Sequence, residues 1–259
     1  MKNKLIVLLL ISIFTLSCET KKKETEKTTV DATVDTSVSV ADCKTLLIIA
    51  EDRSGSTTNH RKLTAQDYKK IVTEFQAKSN GQVAVRVIGN PAPTEREFFI
   101  FQVEAQKPYL EIPKDALMSK KGKIRNDNKK IALENKDIAA KNERAGSNFI
   151  SSKVSQHILN YKPYKGKDIT DIANALHHIE TKIKEPTFKN YDKIQILIIS
   201  DGKHDASKLK EKLKFNPTSN LDLYLIGWQD QSVFSNVTNI DSFESVDGFI
   251  SYYKTLKCE

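Results

Sequence analysis

The feature that most constrains this chain is the alternation of short apolar runs with segments of helical period. Leu46-Leu47-Ile48-Ile49-Ala50 is apolar without a break, the pattern of a strand covered on both faces. Ile194–Ile199 (IQILII) and Leu221–Ile226 (LDLYLI) read as further buried strands. Val83, Val85 and Val87 start another, and after the turn at Asn90-Pro91-Ala92-Pro93 the run Phe98–Val103 returns beside it as a hairpin edge. A short last strand is expected near Val237–Ile240. Between these lie helical patterns. Thr64 reads as an N-cap with Asp67 three residues on, followed by Ala65, Tyr68, Ile71, Val72 and Phe75, with Gly81 available to close the segment. Ile172, Ala175, Leu176, Ile179 and Ile183 mark a second helix, Asp205–Phe215 a third, and Val246, Phe249, Ile250, Tyr253 and Leu256 a closing one. Strands and helices alternating in this way predict an α/β fold, a doubly wound, mainly parallel sheet with helices on both faces.

Residues from about 104 to 165 interrupt the rhythm. Ser119–Arg144 is rich in Lys, Asn and Ala, with Ile131 and Ile138 among few apolar anchors, whereas Phe149, Ile150, Val154 and Ile158 offer a better face. One or two helices are expected here, the first largely solvated, because so long a structureless loop is uncommon inside a compact domain. This Lys-rich insertion also carries the charge. The whole chain has 41 Lys+Arg against 33 Asp+Glu, and residues 106–165 alone have 14 against 6, each a surplus of +8. No aromatic stacking pattern accompanies the lysines, so no nucleic-acid partner is expected.

The N-terminus bears on the compartment. Lys2 and Lys4 precede a mostly apolar run from Leu5 to Leu16, which ends at Ser17-Cys18. That is the build of a secretory signal peptide over residues 1–17, too short to span a bilayer stably. Thr15-Leu16-Ser17-Cys18 resembles the lipobox of bacterial lipoproteins, with Thr15 where Leu is usual; the resemblance implies lipidation of Cys18 and an envelope location anchored to the membrane by that lipid. Residues 19–42 are Lys-, Glu-, Thr-, Asp- and Ser-rich and lack aromatics. Such a segment cannot bury enough apolar surface to offset its ordering entropy, so 18–42 is expected to be the lipidated Cys and a flexible linker. Residues 43–259 then form one domain carrying the insertion.

Polar clusters stand where three of these elements meet loops. The first strand runs into Asp52-Arg53-Ser54-Gly55-Ser56, the strand at 194–199 into Ser200-Asp201-Gly202, and Thr170 opens the helix containing Ala175-Leu176. A D-x-S-x-S pattern, then a Thr, then an Asp, in that order at three sheet or helix ends, resembles the von Willebrand factor A family with its metal-ion-dependent adhesion site (MIDAS). The resemblance spans about residues 44–257. It implies a Rossmann-like sheet and a divalent cation held by Asp52, Ser54, Ser56, Thr170 and Asp201. Two departures stand out: Ser200 occupies a place where Thr is common, and Gly166-Lys167-Asp168-Ile169 lacks the usual Gly-Gly before the Thr.

The residue types fit such a site. Two carboxylates brought together repel and favour taking up a proton, and a divalent cation reverses that preference. Hydroxyl oxygens with two carboxylates suit Mg²⁺ (with Mn²⁺ or Ca²⁺ as alternatives), and the absence of Cys and His from the set argues against zinc. The expected function is a metal-dependent protein-binding module, for adhesion or complex assembly, whose cation takes an exposed acidic group of a protein partner. The alternatives are a structural subunit of an envelope complex and a metal-dependent hydrolase. His60, His157, His177, His178 and His204 are scattered without a nucleophile motif, so no enzyme activity is expected. Basic residues of the insertion would steer an acidic partner if they lay on the site's side. With Cys18 lipidated, Cys43 and Cys258 remain; both are expected at the sheet edge opposite the site and to form a disulfide, two unpaired thiols being the alternative.

Overall fold

The computed structural model describes residues 43–54, 62–89, 98–162, 170–186, 190–203, 213–217 and 221–256. Thr36–Glu259 forms one compact unit; a second unit, Met1–Asp35, lies outside the described residues, as do the signal peptide, Cys18 and the linker. Six strands form one sheet: β1 (Lys44–Asp52), β2 (Asn80–Ile88), β3 (Phe99–Val103), β4 (Lys193–Ile199), β5 (Asp222–Ile226) and β6 (Asn239–Phe243). Their order is β3-β2-β1-β4-β5-β6. All neighbours run parallel except β3, which pairs antiparallel to β2 and forms the expected edge. The last strand is centred two or three residues later than the sequence suggests.

Among the described residues four α-helices accompany the sheet: α1 (Ala65–Lys78), α2 (Met118–Phe149), α3 (Ile172–Lys184) and α4 (Val246–Thr255). Alternate residues of β1 feed two apolar clusters. Leu47 and Ile49 pack with Tyr68, Phe75, Ile158 and Phe249, whereas Leu46, Ile48 and Ala50 pack with Ile172, Leu176 and Ile179. Covering both faces is what lets β1 and β4 be continuously apolar. Helix α1 begins as expected: the Thr64 hydroxyl accepts from the Asp67 amide and the Asp67 carboxylate accepts from the Thr64 amide, a reciprocal capping box. Its end differs from expectation. Ser79, in extended conformation, already closes the helix, and Gly81 lies inside β2 at φ 140°. A Cβ on Gly81 would sit 2.1 Å from the Thr45 carbonyl oxygen, so glycine serves the strand contact and not the helix cap. The helix expected at Asp205–Phe215 falls largely outside the described residues, though Phe215 is buried against Phe234.

The insertion is an arm. Beyond β3 the chain continues as residues 104–117 without regular structure and returns as the 32-residue helix α2, which passes into wider π-type turns over Ile150–Leu159. Three buried asparagines, seven residues apart, fasten the two limbs. Asn142 accepts from the Glu104 amide and donates to the Glu104 carbonyl; Asn135 does the same to Lys107, and Asn128 to Leu110, all at 2.7–2.9 Å. One residue in three is clamped, which is the repeat of a threefold extended, polyproline-II-like chain. Three such residues advance about 9.3 Å and seven helical residues about 10.5 Å, so the two repeats nearly match. Pro108 and Pro113, which lack an amide proton, fall at unclamped positions. The sequence expectation of a largely solvated first helix therefore holds for its outer face, while its inner face is buried through polar side chains.

The arm leaves the sheet at a defined end. Val103 of β3 is opposite Gly81, at the edge where the parallel strands begin. Gln76, near the end of α1 at that same edge, donates to the Asn142 carbonyl, and a Cβ on Gly146 would meet the Gln76 amide at 2.8 Å and Val72 at 3.1 Å. Residues 118–141 thus overhang the edge by about 36 Å at 1.5 Å per residue. Among the described residues no helix is apolar and long enough to cross a membrane.

Candidate functional site at the sheet switch point

From β1 the chain moves outward through β2 to β3, then crosses back to place β4 on the other side of β1 and moves outward again through β5 to β6. The connections reverse direction between β1 and β4, and the crevice beyond the carboxyl ends of two such strands is where open α/β sheets bind ligands. Asp52 is the last residue of β1, and Ser200-Asp201 follow β4. The Ser200 hydroxyl donates to Asp52 Oδ2 at 2.9 Å and accepts from the Gly202 amide, joining the two strand ends. Asp52 Oδ1 accepts from the Ser54 amide at 2.8 Å. Thr170 reaches the same edge because the amide of Asp171, which caps α3, donates to the carbonyl of Gly89 just after β2.

Asp52, Ser54, Thr170 and Ser200 are all buried, at 0 %, 3 %, 4 % and 0 % exposure. Asp201 Oδ1 accepts from the Lys203 amide. Its Oδ2 is buried and accepts no hydrogen bond; the exposed Lys203 ammonium lies 3.4 Å away, a charge contact only. An acceptor buried without a donor is costly unless something electropositive meets it. Four of the five expected ligand residues thus stand at the carboxyl edge, Asp52 tied to the end of β4 through Ser200, and Ser56 lies outside the described residues. Residues 55–61, 90–97, 163–169 and 204–212, next in sequence to these element ends, also lie outside them. The residues present fit a hard cation: every side-chain donor is oxygen, and one buried carboxylate oxygen accepts no hydrogen bond and has only the exposed Lys203 ammonium beside it. Among the described residues no three His, Cys, Asp or Glu side chains cluster as a metal cage. That is compatible with this set, which has two carboxylates and otherwise hydroxyls.

Two residues behind the site were given no supporting role by the sequence. Ser200 is one. The other is Glu51, fully buried on the opposite face of β1 from Asp52. It accepts from the Leu63 amide at 2.7 Å, the Tyr68 hydroxyl at 2.7 Å and the Arg53 guanidinium, while Arg53 also donates to the Leu63 carbonyl. Both ends of the D-x-S-x-S loop are pinned by this one carboxylate. Burial pushes Glu51 up to about 7, against the opposing pull of Arg53 and the hydrogen bonds. A carboxylate at the end of an otherwise apolar strand was the signal available in the sequence. On the far side of the site, the turn at Gly202, φ 74°, is backed by the Trp228 ring.

The projecting part of the insertion departs from the edge opposite this site, so the lysines of residues 107–141 lie away from it. Cys43, beside the start of β1, is also at that opposite edge and is held in a disulfide whose other half lies outside the described residues. No protein-family model matches the chain, and no curated protein matches it in sequence.

Proposed function

We propose that the chain is a von Willebrand factor A-like domain of the doubly wound type, acting as a metal-dependent binding module on the bacterial envelope. Asp52, Ser54, Ser56, Thr170 and Asp201 would hold the divalent cation, Mg²⁺ being the best match to an all-oxygen set. The bound cation would supply positive charge and a coordination position for a carboxylate of a protein partner. The chain's own residues do the rest. Ser200 fixes the Asp52 carboxylate between two strand ends, Glu51 and Arg53 fix the loop that carries Ser54, and Lys203 offers a mobile counter-charge to Asp201. The observation that carries the reading is the Asp52–Ser200 bond across the switch point, which brings Asp52 to the strand end that Asp201 follows. Capture of partners from an envelope extract, with Mg²⁺ and with chelator, tests the function; a partner set unchanged by chelator refutes it.

The location belongs to the same proposal. Cys18 carries the anchor, and Cys43 pairs with Cys258. Leu256, two residues before Cys258, lines one small cleft with Thr45, two residues after Cys43. Replacing Cys18→Ser is expected to release the protein from the membrane fraction; retention through a high-salt wash contradicts the anchor.

A further inference from the structure

The tip of the arm stands exposed among the described residues and has a composition of its own. Leu117 and Met118, where the extended limb turns into α2, are 77 % and 76 % exposed, the two most exposed large apolar residues among those described. Leu110 and Ile112 on the approach are also exposed. From Lys114 to Arg125 five cations (Lys114, Lys120, Lys121, Lys123 and Arg125) stand against one anion, Asp115. We propose that this tip is a membrane-contacting element: Leu117 and Met118 enter the interfacial layer of an anionic bilayer while the surrounding ammonium groups meet lipid phosphates.

Three observations favour a lipid surface over a protein groove. The apolar residues are flexible aliphatic side chains at a convex end, with no Trp or Tyr among residues 110–125, whereas protein hot spots are enriched in aromatics and Arg. Four of the five cations are Lys, which protein interfaces deplete but bilayer surfaces accept, since the apolar stems lie in the interface and the charges reach the headgroups. The third is position. The arm overhangs the edge at which β1 begins, so the tip and the chain upstream of Cys43 leave the domain at the same end, opposite the candidate metal site. Residues 19–42 number 24 and reach at most about 80 Å when fully extended. An anchor at Cys18 therefore permits the arm, about 36 Å long, to stand on the same bilayer and hold the site away from it. This last argument rests on the proposed anchor; the chemistry of the tip does not.

Rigidity makes the contact specific to the tip. The asparagine clamps continue to Asn128, and the Lys121 ammonium donates to the Lys114 carbonyl, so the limbs are joined almost to the turn. A short apolar point ringed by basic residues gives binding to an anionic surface that depends on both the apolar and the charged contributions.

The test uses residues 18–259 with Cys18→Ser, the chain expected after signal cleavage, so its outcome is independent of lipidation. Sedimentation with phosphatidylglycerol/phosphatidylcholine vesicles is expected to show binding that weakens at least tenfold with phosphatidylcholine alone. Leu117→Glu with Met118→Glu, and separately Lys120→Glu with Lys121→Glu, are each expected to weaken binding about tenfold or more while circular dichroism stays unchanged. No binding to anionic vesicles, or equal binding by the Leu117/Met118 variant, overturns the proposal. So does self-association in gel filtration that the same variant abolishes, which would assign the tip to a second copy.

Discussion

Replacing Asn135→Ala removes the middle clamp of the arm and isolates what the asparagines contribute. Two hydrogen bonds disappear, from the Lys107 amide to Asn135 Oδ1 at 2.7 Å and from Asn135 Nδ2 to the Lys107 carbonyl at 2.9 Å. At about 0.5–1.5 kcal/mol net for each, the loss is about 1–3 kcal/mol. Two effects reduce it. Lys107 is exposed, so water re-satisfies its backbone, and Ala is the better helix former by up to about 0.7 kcal/mol. About 1–2 kcal/mol should remain, and it should be local, because neither apolar cluster includes Asn135. Hydrogen exchange resolves this: the Lys107 amide should exchange about 5–30 times faster, while the urea midpoint for global unfolding barely moves. Asn135→Asp at neutral pH should lose only the bond to the Lys107 carbonyl, since a carboxylate still accepts from the Lys107 amide, so that amide should exchange more slowly than in the Ala variant. Unchanged protection at Lys107 in the Ala variant, or a global loss as large as the local one, would refute the clamp.

Thr64→Ala should cost about 1 kcal/mol by removing the cap of α1, read from the urea midpoint. Partial burial pushes the Asp67 carboxyl up, but its hydrogen bonds from the Thr64 hydroxyl and amide and the nearby Lys70 outweigh this and leave it below the ordinary carboxylate range. Its contribution is therefore present above the unfolded pKa and lost as pH falls through the folded one; Asp67→Asn should flatten that part of the acid-unfolding curve. Non-reducing peptide mapping should find Cys43 joined to Cys258, and reduction should cost about 5 kcal/mol by the chain-entropy model; a Cys43–Cys18 peptide contradicts the pairing.

The sheet was legible in the sequence because β1 and β4 are apolar on both faces, a pattern that few other elements share. The start of α1 was legible because Thr64 and Asp67 satisfy each other locally. Gly81 was misread as a helix stop because its reason lies across the sheet, in the approach of the Thr45 carbonyl. A helix in the insertion was legible, but the way it is fastened was not, for a related reason. Its long helix is fastened by Asn128, Asn135 and Asn142, and a search for apolar periodicity passes over a heptad of asparagines. At the candidate site, Asp52, Thr170 and Asp201 could be picked out because they sit at element ends. Ser200 and Glu51 act through partners brought by tertiary structure: Ser200 through Asp52, 148 residues away, and Glu51 through the far end of the loop it closes.

The central claim is that the carboxyl ends of β1 and β4 hold a divalent cation. Calorimetric titration of Mg²⁺, and separately Mn²⁺, into the metal-free protein should give one site per chain. The same titration of Asp52→Ala and of Asp201→Ala should give none, with the fold of each variant verified by circular dichroism. Equal binding by all three proteins, or no binding by the wild type at millimolar metal, would contradict the account.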